Sequence, residues 1–367
     1  MDRTRSCSTR GTPRARPGRC TSPRFGSWPT VRWSSSRPGR SRAAGREQRW
    51  VAGGSTSVAR GVDGCPCRGR SDRPTFGLPN GHSSRRRTTL PYITTSDGTE
   101  LYYTSQGRGP VVILSHSWPL SSDAWQVEVK LLADSGYRAI AHDRRGHGRS
   151  AKTYAGNDMD TYARDLAEIV EQLDLDEVSL IGHSAGGGEV IRYAAQHGAG
   201  RVRRIFTVGG VAPILVESEA NPHGTPIETL DAMRAGVLRD ASQFWIELAE
   251  SFYGADRPGG AISEGVRRDF WRQGQLLNLA AAYDGVEAFS ETDFTDDLRA
   301  LDVPIFLAHG DDDQIVPVGV SAEKSIALVS HGTLKVYPGA PHGISGSYQA
   351  ALDQDILAFL SEKPSIV

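Results

Sequence analysis

No run of apolar residues in the 367-residue chain is long enough to cross a bilayer, and none near its start has the apolar core of a secretory leader. A membrane partner is therefore not expected, and a cytoplasmic location is. Cysteine is confined to Cys7, Cys20, Cys65 and Cys67. The chain after residue 90 thus has no disulfide, thiol nucleophile or thiolate metal ligand to offer. Lysine is missing from residues 1–90, which hold 20 arginines against Asp2, Glu47, Asp63 and Asp72. The remainder is the opposite: 22 Lys and Arg face 39 Asp and Glu, and that acidic surplus does not suit a nucleic-acid partner.

Residues 1–89 read as a disordered, Arg-rich extension. They are rich in Arg, Gly, Ser and Pro, show no helical or strand periodicity, and cannot bury enough apolar surface to offset chain entropy. The composition suits a transit peptide, but so many Gly and Pro interrupt any amphipathic helix. A basic arm for nucleic acid would use lysine as well as arginine. Cys65-Pro66-Cys67 lacks the paired partners of a zinc site. Compositional bias upstream of a misplaced start accounts for the stretch most simply.

From residue 90 the pattern changes. Strands are expected over 92–95, 100–104, 111–114, 137–142, 178–181, 202–208, 303–309 and 333–337. Helices are expected up to 134, over 158–173, from 185, over 318–329 and over 348–360. Asp97-Gly98 is the signal of a two-residue hairpin. The alternation predicts an α/β fold, a doubly wound and mostly parallel sheet with antiparallel strands at its start. Its core would be 90–211 and 301–367. Residues 212–300 would form a helical cap over the carboxyl ends of the strands, where such sheets bind ligands. Of Phe244, Trp245, Phe252, Tyr253, Phe270, Trp271, Phe289 and Phe294, most would be core and some would line a pocket; the sequence does not choose.

The stretch that organises the rest reads Gly182-His183-Ser184-Ala185-Gly186, with an apolar strand before it and a helix after it. A serine hydroxyl attacks only when a base takes its proton and its oxygen is held exposed. A sharp strand-to-helix turn does the exposing, and it needs small residues two before and two after the serine. In that arrangement an acid and a histidine follow, each on a loop after a strand. Of the later histidines, His342 alone sits in a glycine-flanked loop after the last strand, whereas His331 precedes that strand. Asp311, Asp312 and Asp313 all qualify as the acid, and spacing does not separate them. An oxyanion hole would take one amide from Ala185 and one from Ser117 or Trp118. Trp118 serves twice, as donor and as pocket wall, with Ile315 and Val316 as further walls. The glycine-broken loop Asp143-Arg144-Arg145-Gly146-His147-Gly148-Arg149-Ser150 reads as a structural loop held by charge-assisted hydrogen bonds. His142 and His147 lack the spacing of metal ligands.

Residues 90–362 resemble the α/β-hydrolase family, and within it the cofactor-free haloperoxidase and arylesterase branch. The segments that carry the resemblance are Ser115-His116-Ser117-Trp118-Pro119-Leu120, the Asp143 to Ser150 loop, Gly182 to Val190, His309-Gly310 through Gln314-Ile315-Val316-Pro317, and Ala340-Pro341-His342-Gly343. The resemblance implies a catalytic triad of Ser184, Asp313 and His342, the acid standing third after Gly310. It implies hydrolysis of small esters and, from a carboxylic acid and hydrogen peroxide, formation of peracids that oxidise halides, with no haem, metal or other cofactor. A homo-oligomer is left open. One departure stands out: Ser117 occupies a position that is usually glycine, and would be strained if that position needs positive φ. A lactonase, a C–C bond hydrolase and a non-enzymatic binding protein of the same fold are the alternatives. Ser184 argues against an epoxide hydrolase or haloalkane dehalogenase, which need a carboxylate there.

Overall fold

The structure, a computed structural model, describes residues 91–362 apart from 259, 261 and 345–347. The extension expected over 1–89 lies outside the described residues. Eight strands form one sheet: β1 (Tyr92–Thr94), β2 (Glu100–Gly107), β3 (Val111–Ser115), β4 (Arg138–His142), β5 (Val178–His183), β6 (Val202–Val208), β7 (Ile305–Gly310) and β8 (Gly332–Tyr337). Their spatial order is β1-β2-β4-β3-β5-β6-β7-β8. The β1–β2 and β2–β4 pairs are antiparallel and every later pair is parallel.

Alternation along the strands builds two cores. Ile113, Ile140, Leu180, Ile205 and Leu307 face one side, with Leu166 and Val170 of α2 (Met159–Gln172) and Val190 and Ile191 of α3 (Ala185–Gln196). Val112, Leu114, Ala139, Ala141, Ile181 and Phe206 face the other side. There they meet Val129 and Leu132 of α1 (Gln126–Asp134) and Leu352, Ile356 and Phe359 of α9 (Gln349–Ser361). A strand buried on both faces must be apolar at consecutive positions, which is how the central strands read.

Between β6 and β7 stand α4 (Ile227–Phe252), α5 (Glu264–Gln275), α6 (Leu279–Ser290) and α7 (Thr295–Ala300). The helical character expected over 212–300 begins only at Ile227; ahead of it, Val216 and Thr225 form an isolated bridge. Helix α4 is two helices joined at Asp240 (φ −162°, ψ 84°), whose side chain accepts the Gln243 amide at 3.0 Å and so caps the second half.

Two local expectations are corrected. The helix expected over 318–329 is a single 3-10 turn, Val318–Val320, and the four-residue α8 (Ala322–Ser325). Ser321 breaks it at φ −122°, ψ −90°, and the hydroxyls of Ser321 and Ser325 bond the carbonyls of Pro317 and Ala212. Serine offers the backbone such alternatives to a helix. The Asp97-Gly98 turn is wider than a two-residue hairpin, since Thr94 pairs with Glu100. Asp97 organises it by accepting from the Thr95 hydroxyl at 2.6 Å and the Thr99 amide at 3.0 Å. Among the described residues, no helix is long and apolar enough to cross a membrane.

Candidate active site

Ser184 stands between β5 and α3 at φ 56°, ψ −118°, a region that costs a non-glycine residue about 1–3 kcal/mol. The small neighbours make the turn possible. A Cβ at Gly182 would lie 2.3 Å from the Gly186 carbonyl oxygen, and one at Gly186 would lie 2.2 Å from that of Ser115. The Ser184 amide bonds the Val208 carbonyl at 2.9 Å, tying the turn to β6. As the first residue of α3, Ala185 has an amide with no acceptor inside the helix, at the positive end of its dipole.

Loops after β7 and β8 bring in an acid and a base. His342 Nδ1 lies 2.7 Å from Asp313 Oδ2, and both side chains are buried. The other Asp313 oxygen accepts the amides of Ile315 at 2.9 Å and Val316 at 2.8 Å. Burial opposes ionisation of Asp313, but His342 and His309 outweigh it and hold the carboxyl well below its ordinary range. The neighbouring acids face elsewhere: Asp312 pairs with Arg257, and Asp311 accepts the Gly339 amide. Three aspartates that spacing could not separate are thus separated by direction. His342 Nε2 is buried and has no hydrogen-bond partner among the described residues.

A narrow pocket is lined by Ser184, Trp118, Ile315 and Val316, together with Met233, Leu248, Phe252 and Phe289 from the helices between β6 and β7. Nearly all of it is apolar. Phe252 also lies edge-on to the His342 ring at 4.8 Å. The concern over Ser117 is removed: it is not among the residues with positive φ, and its hydroxyl donates to the Trp118 carbonyl at 3.0 Å.

The sequence model described as alpha/beta hydrolase fold matches residues 110–346. A non-heme haloperoxidase of Rhodococcus erythropolis is 51% identical over 272 residues, which is 74% of this chain and 99% of that protein. A bifunctional esterase/perhydrolase of Acinetobacter calcoaceticus is 43% identical over 274 residues, 74% of this chain and 99% of that one. The crystal structure of a bromoperoxidase from Bacillus anthracis superposes with a TM-score of 0.69 at 34% identity, covering 72% of this chain and 96% of that one. The chain belongs to the alpha/beta hydrolase fold family.

Within this hydrolase fold, several residues around the site carried no signal of their own. His309 sits four residues before Asp313; its Nε2 lies 2.7 Å from the Val316 carbonyl and 3.3 Å from Asp313 Oδ2. His183 lies 3.1 Å from the His342 carbonyl through Nε2, and burial with His342 nearby depresses its pKa to about 3, so the ring is neutral. Gly209 leaves room for the pair, since a Cβ there would stand 3.1 Å from His342 Nδ1. Met233 and Leu248 of the pocket are aliphatic members of a long amphipathic helix, and only the tertiary fold separates them from core.

The charged loop after β4 is structural. Asp143 accepts from the Ser122 amide at 2.8 Å and hydroxyl at 2.6 Å, and from the Arg149 amide at 2.7 Å. Arg144 bonds the His116 carbonyl at 2.5 Å and Glu189 Oε2 at 2.8 Å, and Glu189 Oε1 meets His142 Nε2 at 2.8 Å. Arg144 therefore anchors the loop that carries Ser117 and Trp118. Among the described residues no group of three or more His, Cys, Asp or Glu is arranged to hold a metal ion.

Proposed function

We propose that the protein is a serine hydrolase of small carboxylic esters that also passes its acyl group to hydrogen peroxide. The observation that carries this reading is the buried Asp313–His342 pair at 2.7 Å, its outer nitrogen unpartnered, in a chain whose Ser184 is raised on a strained turn. His342 Nε2 takes the proton of Ser184 as the serine oxygen attacks the ester carbonyl. The amides of Ala185 and Trp118 receive the negative charge that develops on the carbonyl oxygen. His342 returns the proton to the leaving alcohol, and an acyl-serine remains.

Water or hydrogen peroxide then attacks the acyl-serine while His342 takes its proton, and Ser184 leaves with that proton. The product is a carboxylic acid from water and a peracid from peroxide. An acyl-serine formed from a free acid enters the same step, with water as the leaving group. The apolar walls given by Trp118, Phe289, Ile315 and Val316 favour a small acyl chain and give little hold to ordered water. A peracid released into solution oxidises halide to hypohalous acid and reverts to the carboxylic acid, so the halide needs no site on the protein. The helices between β6 and β7 act in this reading as a cap that supplies half of the pocket.

Bromination of monochlorodimedone in acetate buffer with peroxide tests the whole sequence. It should proceed with wild type and stop in Ser184→Ala. Bromination that persists in the mutant, or that runs in a buffer free of carboxylic acid, would refute the peracid route.

A further inference from the structure

Sulfur is scarce in this protein. The cysteines are Cys7, Cys20, Cys65 and Cys67, and the methionines are Met1, Met159 and Met233. Of these, Met159 and Met233 belong to the described residues, and their surroundings differ. Met159 opens α2, is 2% exposed and sits in the same core as Tyr162 and Leu166. Met233 lies in the first half of α4, before the break at Asp240, and is only half-buried. It lines the pocket of Ser184, and it brings the one sulfur among the eight lining residues. The other side chains there are hydrocarbon, apart from the Ser184 hydroxyl and the Trp118 indole. The pocket is narrow, so a molecule formed on Ser184 lies against these walls before it leaves.

A thioether is soft and polarizable, and a peroxidic oxygen converts it to a sulfoxide. We propose that Met233 is a modification site of the protein's own turnover: the peracid formed on Ser184 oxidises its sulfur before leaving the pocket. The inference rests on the perhydrolase reading above. In this step the sulfur lone pair attacks the outer oxygen of the peracid, the O–O bond breaks and an S–O bond forms. The peracid proton passes to the departing carboxyl group, so a carboxylic acid leaves. Sulfur is oxidised as both peroxidic oxygens are reduced. The sulfoxide is polar where the pocket is almost wholly apolar. It weakens the hold on an acyl chain, and activity falls as the modification accumulates. Methionine sulfoxide reductases reverse such a change.

Peptide mass analysis of the full-length protein after turnover in acetate and hydrogen peroxide tests this. Free methionine in excess consumes any peracid that has left the pocket. The Met233 peptide should gain one oxygen in step with turnover, and the Met159 peptide should not. Ser184→Ala in the same mixture should leave both unchanged, since only peroxide then meets the sulfurs. Sulfoxide of the free methionine, above the Ser184→Ala background, counts the peracid released. If peracid is released and Met233 stays reduced, this inference falls and the perhydrolase reading stands. If none is released, the reading falls and takes the inference with it. Equal oxidation of Met233 in wild type and Ser184→Ala would assign the change to dissolved peroxide and overturn the proposal. Met233→Leu removes the sulfur at nearly constant volume. With each protein compared with its own initial rate, wild type should lose rate in proportion to its sulfoxide, and Met233→Leu should hold its rate. Parallel decay of the two would overturn the claim that oxidation of Met233 spoils the pocket.

Discussion

His342 meets Asp313 at 2.7 Å and His142 meets Glu189 at 2.8 Å, and in both pairs all side chains are buried. The two differ in what occupies the rest of each partner. Asp313 spends its second oxygen on the amides of Ile315 and Val316, so its charge is balanced by dipoles and by the histidines. Glu189 spends its second oxygen on the Arg144 guanidinium, and Arg144 in turn holds the His116 carbonyl. Burial opposes the charge on both carboxylates, and neighbouring cationic or hydrogen-bonding partners keep both below their ordinary range. The first pair lies on loops beside a pocket; in the second, His142 ends β4 and Glu189 lies in α3, inside a charged cluster. A buried histidine–carboxylate contact thus serves, under the proposed function, as a catalytic device in one place and as a brace in the other. The place of the histidine, on a loop after β8 for His342 and at the end of β4 for His142, decides which it becomes.

The largest test of that contrast removes the histidines in turn. His342→Ala should cost about as much as Ser184→Ala, ~10⁶ in kcat for a short aryl ester, because the two act as a unit. His142→Ala should leave kcat of the folded protein within about tenfold, since the lost contact is one of support. Equal losses in the two histidine variants would erase the distinction. Asp313→Asn should cost ~10⁴ in kcat by failing to orient His342. Asp311→Asn and Asp312→Asn should be nearly silent, and a damaging Asp312→Asn with a silent Asp313→Asn would reverse the assignment.

Glu189→Ala sharpens the other half. It strands Arg144 and His142 in the interior, and breaking such a buried pair costs about 3–5 kcal/mol. Urea melts should show that loss while the folded fraction keeps its kcat. A large fall in kcat at full stability would instead make Glu189 part of the catalytic machinery through the Trp118 loop.

What could be read from the sequence, and what could not, follows the same line. The turn at Ser184 was legible because its demands are local: glycines at 182 and 186 answer contacts at 2.3 and 2.2 Å. The position of His342, on the loop after β8 and beside Asp313, was legible because loops after strands recur at fixed places in this topology. The choice among Asp311, Asp312 and Asp313 was not legible from spacing, because it rests on where each side chain points in the folded loop. The resemblance to the family supplied it. Helix propensity over 318–329 misled because Ser321 and Ser325 found carbonyl partners off the helix, one of them 113 positions away in Ala212. Ser117 was suspected of strain on the glycine usually found there, and the backbone at that position does not need positive φ. Glu128 gave no sequence signal at all. It sits in an ordinary amphipathic helix, and its burial is made by α9 from the far end of the chain.

Glu128 is a further buried carboxylate, one with neither a histidine nor an arginine partner, and it behaves in the opposite sense to Asp313 and Glu189. Burial raises its pKa from an ordinary 4.5 to about 7, the Gln349 hydrogen bond opposes this, and Asp353 on α9 adds to it. Tyr253 and the neutral His183 line a cavity with it and bring no positive charge. The folded protein therefore holds this proton more tightly than the unfolded chain does. Its contribution to stability is fully present below pH 4.5, declines as pH climbs from 4.5 to about 7, and is gone above that. A rise from 4.5 to about 7 corresponds to about 3 kcal/mol. Asp313 and Glu189, with lowered values, lose their contributions only at the acid end. Glu128→Gln keeps the shape and the amide contact while removing the charge. Urea melts of wild type and Glu128→Gln should agree near pH 4.5 and diverge by about 3 kcal/mol at pH 8, with the variant the more stable. Parallel stability curves across that range would show that Glu128 ionises without penalty, through solvent that reaches its second oxygen.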